Sequence, residues 1–139
     1  MTDQEQITLT LEATNLVEGV VGQVRPSLTI RCVEGWRLDA GVWTGSVLGG
    51  DVVSGETPVR LRWDSDAVAE ETWSRSTNFQ AAFALDPVAF VRRLARTAEV
   101  RFEFQPYDAL PRVAIFHPAG LAGHLQAIAH ACPQSHLVD

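Results

Sequence analysis

Lysine is absent from this 139-residue chain, whose eleven basic residues are all arginine. Seventeen acidic residues outnumber them, for a net charge of −6. A domain of that sign lacks the field that nucleic-acid phosphates select, so nucleic acid is not an expected partner. Long apolar runs are missing too: none approaches the roughly 18 residues of a membrane-spanning helix. No repeat or low-complexity tract interrupts the chain, and 46% hydrophobic with 20% charged residues excludes a disordered tail. The opening Met1-Thr2-Asp3-Gln4-Glu5-Gln6 is acidic and lacks the apolar stretch of a signal peptide. The expectation is therefore either a cytoplasmic or virion protein, or an envelope protein whose leader has been removed.

The usual catalytic signatures are missing as well. There is no HExxH, no GxSxG, no P-loop and no GxGxxG. His124 and His130 fall on different faces of a helix, while His117 sits in a strand and His136 in the tail. No metal and no cofactor is expected. Asp64 and Asp66, at i and i+2 after a strand, read as a solvated turn rather than an acid/base pair. Cysteine is confined to Cys32 and Cys132. These can be two buried thiols or one bridge closing a very long loop, and both project from the apolar face of their element.

What is present is periodicity. Ile7, Leu9 and Leu11 alternate with polar neighbours, as do Leu28, Ile30 and Cys32, and then Trp36, Leu38, Ala40 and Val42 after a turn at Glu34-Gly35. Gly19 and Gly22 break the pattern between the first two strands. Gly45 to Gly55 reads as a glycine-rich loop with weak strand character at Val52-Val53. Val59, Leu61 and Trp63 form the clearest strand face, and a short strand is expected at Thr72-Trp73-Ser74. Asp86-Pro87 is an N-cap followed by proline at the first helical position, opening a helix over 87–98. Val100, Phe102 and Phe104 follow as a strand. Residues 113–117 are apolar on both faces and read as a central strand. A second helix is expected over 120–132, with Leu121, Leu125, Ile128 and Cys132 in one arc. The order predicts one α+β domain, with a mostly antiparallel sheet of about six to eight strands and two helices. Its core spans about residues 7–132 between short flexible tails.

Charge is distributed unevenly over this framework. Residues 1–56 carry three arginines and eight acids, and residues 57–139 carry eight arginines and nine acids. Arg31, Arg60, Arg62 and Arg101 point away from the inferred core. If their strands are neighbours they form a ladder for an anionic protein or glycan partner, with Trp73 or Trp43 at the rim as an anchor. The alternative is ordinary cross-strand pairing with Glu103, Glu12 and Asp64. Trp36 and Trp63 fit core positions.

The ordered set Arg25-Pro26-Ser27-Leu28-Thr29-Ile30-Arg31-Cys32, Val59-Arg60-Leu61-Arg62-Trp63-Asp64, Trp73-Ser74 with Ser76, Phe102-Glu103-Phe104 with Pro106-Tyr107, and Phe116 with Gly120-Leu121 and Ala131-Cys132 resembles the type VI secretion-associated accessory proteins of the VasI/TagO kind. The resemblance covers about residues 7–132. It implies a small β-rich domain with a C-terminal helix, a disulfide matching Cys32 and Cys132, and a periplasmic or envelope setting behind a leader. It implies no catalytic residue. The chain departs from the pattern at His117, where an aspartate is common. The expected function is a non-catalytic binding or accessory domain of the bacterial envelope. Alternatives are a phage virion component or immunity-type interaction protein, and, third, a small hydrolase built around His117 or His124 with a carboxylate.

Overall fold

Alternating burial, clearest over 27–33, 56–63 and 100–104, turns one face of the main sheet toward the core. The computed structural model describes residues 8–33 and 37–137. In chain order the strands are β1 (Thr8–Glu12), β2 (Val17–Gly19), β3 (Gly22–Val24), β4 (Ser27–Val33), β5 (Arg37–Trp43), β6 (Glu56–Trp63), β7 (Ala69–Arg75) and β8 (Ala81–Phe83). Helix α1 (Pro87–Leu94), β9 (Val100–Phe104), β10 (Arg112–Phe116), a 3-10 turn (Leu121–His124) and α2 (Leu125–Ala131) complete the fold. The sheet runs β1-β4-β5-β8-β7-β6-β9-β10, every neighbouring pair antiparallel, and β2 and β3 form a separate hairpin. The architecture is the expected α+β, mostly antiparallel, with the second helix at the C-terminus. Ile7, the turn at Glu34-Gly35 and the core position of Trp36 lie outside the described residues, as do the outermost tail positions.

The inward residues of β4, β5, β6, β9 and β10 pack against Phe90, Val91 and Leu94 of α1 and Ile128 of α2. Trp63 and Trp73 both meet Phe90 edge-on, with ring centroids 5.5 and 5.0 Å away. Such aromatic contacts add about 0.5–1.5 kcal/mol each beyond area burial. On the opposite face Gly41 leaves room for the Phe83 ring: a Cβ there would lie 2.6 Å from it.

Several boundaries differ from the sequence reading, each for a visible reason. β2, β3 and β8 were not expected: each is three residues long, too short for alternation to register. Val52 and Val53 are exposed turn residues rather than strand. Helix α1 stops at Leu94 instead of residue 98. There the Asp64 carboxylate accepts the N–H groups of Ala98 and Glu99 at 3.0 and 2.9 Å and draws the chain into β9. The second helix opens as a 3-10 turn after Gly120, whose φ is 90°.

The strand at 112–116 is last in the sheet, not central. Its outer edge is closed by the chain that leaves β1. Thr14 N–H donates to Ile115 O at 2.8 Å. The Asn15 side chain donates to Val113 O and accepts from Ile115 N–H, both at 2.8 Å. One amide side chain thus stands in for a strand residue, and the sheet curls into a partly closed barrel. Ala114 and Phe116 of this end strand are buried in the core, while Val113 and Ile115 are half-buried on the other face.

Cys32, on β4, and Cys132, just past α2, form a disulfide with a Cα separation of 5.6 Å. It ties the C-terminal helix to the inner face of the sheet.

Candidate functional site

The alternation that buries Leu61, Trp63 and Phe102 sends Arg60, Arg62 and Arg101 to the outer face of β6 and β9. Strand register then sets the local chemistry. Arg60 stands opposite Glu103 on β9 and opposite Glu70 on β7. Its guanidinium lies 3.7 Å from Glu103 and 3.6 Å from Glu70. Arg62 stands opposite Arg101, so two like charges face each other across a ladder. Arg101 lies 3.7 Å from Glu99. Arg62 meets no carboxylate among the described residues.

These three arginines line a shallow groove of about 250 Å³ together with Asn15, Val68, Glu103, Val113 and Ile115. Its floor is aliphatic and its donors are planar and exposed. Like charges directly opposite cost stability in a sheet. A bound carboxylate, sulfate or phosphate between Arg62 and Arg101 would relieve that cost and accept bidentate hydrogen bonds.

Arg31 does not join them. It sits on β4, separated from β6 by β5, β8 and β7, and pairs with Asp39 at 3.4 Å. The expected four-arginine ladder is therefore a three-arginine cluster plus one distant residue. Trp73 is a second correction. It is 1% exposed and packs between Phe90 and Phe102, so it is a core residue and not a rim anchor. Its polar neighbours Thr72 and Ser74 face the other way and conceal that in the sequence. Trp43, 40% exposed, lies in a depression shared with Arg31, Asp39 and Phe83. Of the carboxylates expected to pair with the arginines, Glu103 does. Glu12 stands opposite Ser27, and Asp64 caps Ala98 and Glu99.

The histidines are dispersed. His117 Nε2 lies 3.7 Å from Glu99, with both side chains partly exposed. His124 lines an apolar cleft of about 180 Å³ beside Leu9, Leu11 and Leu121. Among the described residues no three of His, Cys, Asp and Glu come together as a metal site. Asn15 and Ile115, which shape the arginine groove, were missed by the sequence reading. Asn15 carries no periodic signal, and its role depends on a contact across 100 residues. No family model, no curated protein and no solved structure matches the chain.

Proposed function

We propose that this protein is a non-catalytic binding domain of the bacterial cell envelope, of the type VI secretion-associated accessory kind, that holds an anionic protein or glycan at Arg62 and Arg101. One observation carries the binding reading: two guanidiniums face each other across β6 and β9 over an aliphatic floor, and one of them meets no carboxylate among the described residues. The Cys32–Cys132 disulfide supports the envelope setting, because such bonds persist in oxidising compartments. The ordered segments that resemble the VasI/TagO proteins support the assignment to secretion.

The test uses two probes, a polyglutamate peptide and polygalacturonate, titrated against the wild-type protein and the double variant R62Q/R101Q. Wild-type protein should bind at least one of them, with affinity falling as salt rises. The double variant should bind at least about tenfold more weakly while unfolding at the same denaturant concentration or slightly higher, since a like-charge pair has been removed. Equal binding by both proteins, or no binding of either probe at low salt, defeats the proposal.

A further inference from the structure

The sheet has an opening that the arginine face does not use. β8 pairs with β7 only at Ser74 and Arg75; beyond Phe83 the chain keeps a bond to β5 alone, from Ala84 N–H to Ala40 O, and Asp86 then starts α1. The first half of β7 therefore loses its neighbour on that side. Hydrogen-bond directions show which groups are left. Arg75 N–H points to Gly55 on the β6 side, and Ser76 N–H points to Ala81 on the β8 side. Strand alternation then turns the N–H and C=O of Glu70 and Thr72 toward the vacated side. Among the described residues nothing bonds them there.

A groove of about 480 Å³ adjoins this edge, between β7 and the start of α1. Its apolar surface comes from Trp63, Phe90, Ala89 and Leu85, and its carboxylates are Glu71 and Asp86. Glu71 is held in place: its Oε1 accepts the indole N–H of buried Trp73 at 3.0 Å. The one cation in the groove, Arg93, is already engaged, 3.0 Å from Asp66 and 4.9 Å above the Trp63 ring.

We propose that this edge accepts an extended cationic peptide segment of a partner protein, which adds a strand to β7 in the place β8 vacates. Main-chain bonds to Glu70 and Thr72 supply the affinity common to strand addition. The side chain opposite Glu71 enters the groove, where an arginine or lysine lays its aliphatic stem on Phe90 and Leu85 and its head at Glu71 and Asp86. A second copy of this chain does not fit. Antiparallel pairing of two β7 edges would set Glu71 against Glu71 with both Glu70 residues alongside, and facing like charges are repulsive.

The probe is a blocked hexapeptide of alternating valine and arginine, with a valine–glutamate hexapeptide as control. Binding of the first should slow amide exchange at Glu70 and Thr72, leaving Glu71 and Trp73, already bonded to β6, unchanged. Thr72→Pro removes a guest-facing N–H but no β6 bond, because Thr72 stands opposite Pro58 in a pair not bonded through it. It should weaken binding roughly 3- to 10-fold with an unchanged melting temperature. Glu71→Gln keeps the acceptor for Trp73 and should reduce both the affinity and its salt dependence. The proposal is overturned if the arginine peptide does not bind, if the glutamate peptide binds as well, or if either variant binds like wild type. It also fails if the free protein is a dimer with Glu70 and Thr72 already protected.

Discussion

Asn15 shows how much a single side chain decides. Its amide closes the outer edge of β10 by donating to Val113 O and accepting from Ile115 N–H, beside the bonds that Thr14 makes to Ile115 O. Asn15→Ala should lower stability by about 1–2 kcal/mol, since two main-chain groups at a partly buried edge lose their partner. Urea unfolding followed by tryptophan fluorescence measures it. Asn15→Asp keeps the acceptor but loses the donor and should fall between the two. A loss equal to that at an exposed loop residue would show that water replaces the amide without cost. Arg62 is the opposite case: a charged residue that the fold would tolerate losing, which is why it is offered as a ligand group.

Among the elements, α1 is the one whose start was plain from the chain and whose end was not. Asp86 caps it as the Asp-Pro pair predicts, its Oδ1 accepting from Ala89 N–H at 3.1 Å. The end depends on Asp64, thirty-odd positions earlier, and on Thr97, whose hydroxyl donates to Arg93 O. The helix earns its place through Phe90, which meets two tryptophans at once. Phe90→Ala should cost about 3–5 kcal/mol, as for other buried aromatics, with the cavity opening beneath the groove beside β7. Thermal unfolding checks it, and a drop below about 1 kcal/mol would mean the helix is peripheral to the core. β7 shows the limit of pattern reading. Trp73 lies between Thr72 and Ser74, and only its packing on Phe90 and Phe102 reveals that this residue is the one on β7 that fills the interior.

At the scale of the whole molecule, two long-range ties close the fold. One is the bond set from Thr14 and Asn15 to β10, and the other is the disulfide across a sequence separation of 100. Freshly isolated protein should give no free thiol without reductant. Cys32→Ala/Cys132→Ala should lose about 2–5 kcal/mol, the range typical for removing a native bridge, with the chain-entropy model placing a loop of this length near the top. Mass spectrometry with and without reductant, followed by denaturant unfolding, measures both. Two reactive thiols in unreduced protein would contradict the bridge and remove the main support for an oxidising compartment.

The chain by itself determined the strands whose burial alternates, because burial on one face of a strand imposes a period of two that five or more such residues display; β7, which buries only Trp73, was legible just at 72–74. β4, β6 and β9 were legible for that reason, along with the cap at Asp86 and the outward direction of Arg60, Arg62 and Arg101. The fold class followed from the order of those elements. Strand order was not legible, since pairing is set by contacts between distant segments that leave no local trace. It was strand order that removed Arg31 from the arginine cluster, set Arg62 against Arg101, placed β10 at the end of the sheet and left half of β7 without a neighbour. The candidate sites exist only at that level, because each is made where two strands meet or fail to meet.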